Sequence, residues 1–253
     1  MKGREIYIDY GATTPVDPRV MKKALPYFSD KFGNPSSSHF AGKEAKNAIV
    51  KAREQVADFL NCTPYEVVFT SGGTESENLA IKGLAFSAKK FGNHAIVSSV
   101  EHLSVSTSAD FLKRQGFEVS RVSVDSKCNV NIQELESLIK DETILISIML
   151  ANNEVGTIQP LAEISKIIKC KNKERAKTGK QPIRFHADGE AAAFYTDINV
   201  KKIGADAISI NGAKLYSLKG ASALFVKKGV SIATQTLGGG QERFLRGGTE
   251  NVP

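Results

Sequence analysis

The chain predicts an α/β domain built on a largely parallel sheet, and three observations carry that reading. Short apolar runs rich in β-branched residues alternate with longer helical patterns along its 253 residues, the rhythm of strand–helix–strand crossovers. Polar and turn-forming residues gather just behind those runs, where α/β sheets place their ligands. The length, with 41% hydrophobic and 24% charged residues, is that of an ordinary globular protein with room for a large core, not a disordered or fibrous chain.

Residues 1–14 read as an extended, turn-rich segment broken by Gly11 and Pro15, followed by one main domain over residues 15–253. Seven strands are expected: Glu66 to Thr70 (EVVFT), His94 to Ser99 (HAIVSS), Glu118 to Val124 (EVSRVSV), Thr143 to Met149 (TILISIM), Ile183 to Ala187 (IRFHA), Ala207 to Ile210 (AISI) and Ser222 to Val226 (SALFV). Helical patterns lie at Gly42 to Leu60, Glu75 to Lys89, Val105 to Gln115, Ile132 to Lys140 and Leu161 to Lys171. No repeat or low-complexity tract interrupts them. The final GGGQERFLRGGTENVP reads as a Gly-rich loop. A domain ordinarily closes on a packed element, so this ending reads as a cut through something larger, or as a naturally short version of it.

The formal charge is +7, an excess that favours an acidic ligand or nucleic acid. Much of it is local: Lys166 to Arg184 holds eight basic residues and one acid, Glu174. With no interleaved aromatic residues for base stacking, that stretch reads as a solvated helix end and loop rather than a nucleic-acid surface. Cys62, Cys128 and Cys170 form neither a CxxC metal pattern nor an even disulfide framework, and no metal site is expected. They fit a reducing cytoplasm. No window approaches a membrane span and the N-terminus lacks an apolar targeting core, so a soluble, unsecreted protein is expected.

Five strand ends carry candidate chemistry. Behind EVVFT, the turn Ser71-Gly72-Gly73-Thr74 opens a helix whose free N–H groups form an anion cup; a plain strand-to-helix turn explains it equally well. Behind HAIVSS stands His102, behind TILISIM the pair Asn152-Asn153, behind IRFHA Asp188-Gly189-Glu190, and behind AISI Asn211-Gly212-Ala213-Lys214. Singly these read as a structural histidine, turn amides and a solvated lysine. Together, a phosphate cup, a histidine, an amide, a carboxylate and a lysine are what pyridoxal phosphate requires. The lysine holds the aldehyde as a Schiff base, the carboxylate keeps the pyridine nitrogen protonated, and helix N–H groups hold the phosphate.

The chain resembles the class V aminotransferase branch of fold-type-I pyridoxal-phosphate enzymes, and within it the cysteine desulfurases. YIDYGATTPVDPRV, FGNPSSSHFAGKEA, VVFTSGGTESENLAIKG, EHLSV, SIMLANNEVGTIQP, FHAD, KLYSLKGASALF and GGGQERFLRGGTENVP match its motifs in order from Ile6 to Pro253. The resemblance implies a three-layer α/β/α large domain with a mixed, mostly parallel seven-stranded sheet, and a homodimer with active sites near the interface. It implies Lys214 as the Schiff-base lysine, Asp188 as partner of the pyridine nitrogen, and His102 stacked on the ring and assisting proton transfer. Asn153 would meet the phenolic oxygen, Gly73 and Thr74 the phosphate, and Thr249 the phosphate of the neighbouring subunit. The implied reaction turns L-cysteine into alanine, with sulfur passing to an enzyme persulfide and then to an acceptor such as an iron–sulfur scaffold protein.

Three positions depart from the family pattern. The HxDAxQ run reads His186-Ala187-Asp188-Gly189-Glu190-Ala191, so the glutamine amide is missing. The Ser-x-His-Lys run reads Asn211-Gly212-Ala213-Lys214, which replaces a hydroxyl by the Asn211 amide and removes an imidazole. Each hydrogen bond lost to a charged group costs about 1.5–3 kcal/mol, or about ten- to a hundredfold in affinity. The GPKG run reads Ser217-Leu218-Lys219-Gly220. The family's C-terminal domain, with its persulfide cysteine and carboxylate-binding arginine, is not present in this sequence. Two alternatives therefore stand beside a desulfurase: a non-catalytic homologue serving as a dimeric scaffold, motivated by Ala191 and Ala213, and another class V reaction on a different amino acid.

Overall fold

A computed structural model describes residues 5–253. Seven strands form one sheet: β1 (Val67–Thr70), β2 (His94–Ser98), β3 (Glu118–Val122), β4 (Thr143–Ser147), β5 (Arg184–Asp188), β6 (Ala207–Asn211) and β7 (Ser222–Val226), in the spatial order β1-β7-β6-β5-β4-β2-β3. Pairings among β2 to β6 are parallel, whereas β7 runs antiparallel to both β1 and β6. The reversal has a simple cause. Only residues 212–221 connect β6 to β7, fewer than the dozen or more that a parallel crossover needs.

Alternation along the strands divides the core into two faces. Val67, Ile96, Ile146, Ile208 and Phe225 point to one side, and their neighbours Val68, Val97, Leu145, Ala207 and Leu224 to the other. Helices α3 (Phe40–Leu60), α6 (Ile132–Leu138), α7 (Leu161–Lys177) and α8 (Val200–Ile203) cover the first face through residues such as Leu60, Leu135, Ile164 and Ile203. The second is covered by α4 (Gly73–Ala88) and α5 (Leu103–Arg114) through Leu79, Leu84, Val105 and Leu112. The result is the expected three-layer arrangement. Burial on both faces explains why the strands read as unbroken apolar runs rather than alternating ones.

All seven predicted strands and five predicted helices form, with shifts at their ends. The basic stretch departs furthest: it is helical through Lys177, because no breaker occurs before Gly179. Two short helices near the N-terminus, α1 (Pro18–Ala24) and α2 (Pro26–Ser29), and α8 add to the prediction. Residues 5–14 form neither helix nor strand and turn at residues 10–12; the first four residues of the N-terminal segment lie outside the described part.

Two ion pairs fasten the C-terminal Gly-rich stretch to the domain. Arg53 of α3 grips Glu242 with both guanidinium nitrogens, at 2.6 and 2.7 Å, and Glu242 also accepts the Phe69 N–H at 3.0 Å. Arg246 reaches Glu75 in the first turn of α4 at 2.8 Å. Between them, Glu242, Arg243 and Phe244 all have positive φ, 46°, 58° and 63°, a left-handed run that costs about 1–2 kcal/mol per residue. The buried Arg53–Glu242 pair holds that run in place. Replacing Glu242 by Ala leaves Arg53 unpaired, and a loss of about 3–5 kcal/mol in unfolding free energy is expected by urea denaturation; a change below about 1 kcal/mol would show that the stretch is held by other contacts.

Candidate active site

Because β1 is antiparallel to β7 and β7 to β6, β1 points the same way as the parallel strands. The C-terminal ends of β1, β2, β4, β5 and β6 therefore share one sheet edge. Every strand-end candidate from the sequence comes to that edge, with Thr249 arriving separately on the C-terminal stretch.

Lys214 sits in a single turn of 3-10 helix, Gly212–Lys214, in the short link between β6 and β7. Asn211 opens the turn by accepting the Ala213 N–H at 3.0 Å. From the far end of the chain, Thr14 closes over it: both its N–H and its hydroxyl donate to the Ala213 carbonyl, at 2.9 and 3.0 Å, and its Oγ1 accepts the Tyr216 N–H at 2.8 Å. Thr14 was not singled out in the sequence. A contact spanning about two hundred residues leaves no local signal.

At the end of β5, Asp188 is buried and its Oδ1 accepts the Glu190 N–H at 2.8 Å. Glu190 is 7% exposed and Glu77, on α4, is fully buried. Oxygens of these three carboxylates lie within 4.8 Å of one another. Burial pushes all three pKa values up, well above the ordinary range for Glu77. For Glu190 the Asp188 charge adds to that rise, while the Asn211 hydrogen bond and the charges of Lys214 and His102 oppose it. His186 stands behind, 3.4 Å from Glu77 and hydrogen-bonded to Ser147 at 2.8 Å. Burial lowers its pKa to about 3, so the His186–Glu77 contact joins two neutral groups rather than an ion pair.

The head of α4 meets this cluster directly. A Cβ built on Gly73 would lie 1.9–2.0 Å from Oε1, Oε2 and Cδ of Glu190, so the carboxylate is packed on the face that glycine leaves open. No side chain caps the helix at Gly72. Thr74 is exposed beside Gly73. Of the other predicted residues, His102 caps α5, its Nδ1 accepting the Ser104 N–H at 3.2 Å, which leaves Nε2 as the protonated nitrogen of the neutral ring. Asn152 is buried and braces the β4 turn by donating to Val100 O and accepting from the Glu154 and Val155 N–H groups. Asn153 is exposed and its side chain donates to Glu154 at 2.9 Å. Thr249 is exposed on the wall of a cavity of about 570 Å³ between α3 and the C-terminal stretch, which contains neither Lys214 nor Asp188.

The sequence reading also missed Glu77 and Glu101. Glu101 receives Ser98 Oγ at 2.7 Å and Met149 N at 2.9 Å, and its carboxylate is shut off from water although the residue as a whole is half-buried. Its only sequence signal was its place beside His102.

This arrangement was compared with known proteins. The family model Aminotransferase class-V matches residues 6–250. The chain belongs to that family. It is 46% identical over 252 residues to the cysteine desulfurase IscS of Methanosarcina thermophila, covering all of this chain and 60% of that protein. A solved NifS-like protein superposes with a TM-score of 0.93 at 39% identity, covering 98% of this chain and 66% of the other. A structure described as SspA in complex with cysteine superposes at 0.89 and 40% identity, covering 97% and 69%. The chain spans about 60% of the length of the curated relatives it matches.

Class V enzymes of this kind depend on pyridoxal phosphate. The residues of this chain suit the group at its ring and aldehyde end, where Lys214, Asp188 and His102 share one edge. At the phosphate end they do not suit it as they stand, because a carboxylate of the protein itself fills the glycine face at the head of α4.

Burial raises the Glu101 carboxyl to about 8. A raised acid stabilises the fold fully below its unfolded pKa, near 4.5, and that contribution is lost as pH rises through about 8. Glu101→Gln, which cannot ionise, is expected to lose less unfolding free energy between pH 5 and pH 8.5 than the parent. Parallel urea curves for the two proteins would refute this assignment.

Proposed function

We infer that this chain is the pyridoxal-phosphate-binding part of a cysteine desulfurase acting on L-cysteine. The observation that carries the reading is the convergence, on one sheet edge, of a lysine in a constrained turn with a buried carboxylate, a helix-capping histidine and the open head of a long helix. The names of its relatives and the cysteine complex of SspA support the substrate class. When bound, the cofactor supplies an electron sink for the substrate's Cα electrons.

The chain's own residues divide the remaining work. Lys214 would hold the cofactor's aldehyde and, as an amine at that edge, would serve as the base for the substrate's Cα proton. Asp188, shielded from water, would hold the cofactor at its pyridine nitrogen. His102, with its N–H on Nε2, lies at the edge to pass protons. Asn153 and Asn211 are the amides assigned to the cofactor's polar groups, and Gly73 and Thr74 the backbone assigned to its phosphate. Thr249, exposed on the C-terminal stretch, is the residue assigned to the phosphate of a second subunit in a homodimer. None of the three cysteines is assigned the sulfur-accepting role: burial raises Cys62 to about 11, while Cys128 lies in a turn and Cys170 on α7. Sulfur transfer to an acceptor protein, with an iron–sulfur scaffold as the class implied, belongs to the whole protein. The same holds for a cytoplasmic location, to which the chain adds that no described helix is long and apolar enough to cross a membrane.

A second reading, a dimeric homologue that no longer turns over substrate, is favoured by one observation, the carboxylate of Glu190 against Gly73. Titration with pyridoxal phosphate to saturation, followed by borohydride reduction and peptide mapping, decides between them. The expected result is a visible absorbance band with the label on Lys214, both lost in Lys214→Ala, and formation of alanine and sulfide from L-cysteine when the full-length protein is assayed. Folded protein that takes no label at saturation overturns the desulfurase reading.

A further inference from the structure

Glu190 is an acid placed where the proposed function calls for none. Its side chain is 7% exposed, its Oε1 has no hydrogen-bond partner, and its Oε2 receives one hydrogen bond, from Asn211 Nδ2 at 3.0 Å. Asn211 has little freedom to turn that donor elsewhere. Its Oδ1 accepts both the Ala213 N–H, at 3.0 Å, and the Ser222 hydroxyl, at 3.3 Å, which fixes the amide with its nitrogen toward Glu190. The single amide donor behind β6 is thus committed to a carboxylate of the same chain.

That carboxylate lies on Gly73, the first residue of the 16-residue helix α4. The head of such a helix attracts anions through its free N–H groups and its dipole. A phosphate resting on the same residue would meet the Glu190 carboxyl group at contact distance, so the two cannot occupy that face together. Lys214 and His102 act on Glu190 against the burial and the Asp188 charge that raise its pKa. The side chain thus rests on a glycine face, holds an amide donor and lies at the end of a helix.

We propose that the Glu190 carboxyl group stands in the place of the cofactor's phosphate at the head of α4, so that pyridoxal phosphate binds only by displacing it. The inference rests on the pyridoxal-phosphate reading above and deepens it: Glu190 sets the affinity for the phosphate end of the cofactor and leaves the aldehyde end alone.

The test compares the parent chain with Glu190→Ala and Glu190→Gln, titrated with pyridoxal phosphate and, separately, with pyridoxal, which lacks the phosphate. Binding is read by the visible band and by calorimetry, and thermal melting checks that each protein is folded. Glu190→Ala should bind pyridoxal phosphate at least about tenfold more tightly than the parent while pyridoxal shifts by less than about twofold. A general structural effect would move both ligands together. Glu190→Gln, which removes the charge and keeps the shape, should move in the same direction by less, and it preserves the comparison should the alanine variant fold poorly. Equal pyridoxal-phosphate affinity in parent and variants, with the label on Lys214 in each, overturns the role of Glu190 and leaves the cofactor reading intact. Absence of label in all three folded proteins overturns both.

Discussion

The constraint on which the site depends is the burial of four carboxyl groups at one end of the sheet with no buried cation among them. Glu77, Asp188, Glu190 and Glu101 are all pushed toward the protonated form by burial, and His186, the one basic side chain in their midst, is pushed to the neutral form. A buried charge is costly unless polar neighbours meet it. Local polar partners hold the cluster: Ser209 donates to Glu77, Ser98 to Glu101 and Ser147 bonds His186. These serines lie on β6, β2 and β4, facing inward from the sheet. The cluster thereby adds polar contacts between strands that also pack through their apolar side chains.

The lysine turn shows a second way in which distant sequence shapes the site. A link of residues 212–221 forces β7 to reverse, and the turn holding Lys214 is the start of that reversal. Its exposed carbonyl, that of Ala213, is satisfied by Thr14, so a segment that is neither helix nor strand acts as the clasp of the loop. The C-terminal stretch plays a similar part at the other end of the sheet edge. Arg246 reaches the first turn of α4 through Glu75, and Glu75 in turn accepts the Ser71 N–H at 2.8 Å. Both termini of the described chain thus brace loops of the site. The Gly-rich character of the stretch has a reason in packing: a Cβ on Gly247 would lie 2.7 Å from the Gly238 backbone, where the chain doubles back on itself.

What could be read from the sequence follows from the range of the interactions involved. The strands were legible because each is buried on both faces and so reads as an unbroken apolar run, and their polar ends were legible because parallel strands deliver them to one edge. Helices α3, α4, α5 and α7 carried enough turns to show a pattern. By contrast, α2 and α8 are four residues each, too short for periodicity to appear, and α1 is a seven-residue helix that starts just beyond the breaker read at Pro15, with Pro18 in the first helical position that proline favours. The basic stretch is the helix end and loop it reads as, but the helix runs to Lys177 rather than Lys171, because lysine suits a helix as well as a solvated loop. Thr14 and the Arg53–Glu242 pair were invisible because each joins segments far apart in sequence. Glu190 was in plain view within the altered motif, yet only its three-dimensional neighbour, Gly73, gives it meaning.

That last case links the departures from the family pattern. Taken separately, the amide at Asn211 and the acid at Glu190 read as two independent losses around a cofactor. In the fold they are donor and acceptor of one hydrogen bond, and the amide is oriented for it by the N–H of Ala213 and the hydroxyl of Ser222. A side chain larger than alanine at position 213 is not needed for that arrangement, since only its backbone takes part. The glycine at 73 completes the set, because any Cβ there would collide with the carboxylate. Three positions on three different elements thus form one unit whose physical effect is to place a carboxyl group at the head of a helix. Asp188 is tied to that unit, because its Oδ1 accepts the Glu190 N–H at 2.8 Å; that bond is made by the backbone of Glu190, so exchanging the side chain leaves it in place.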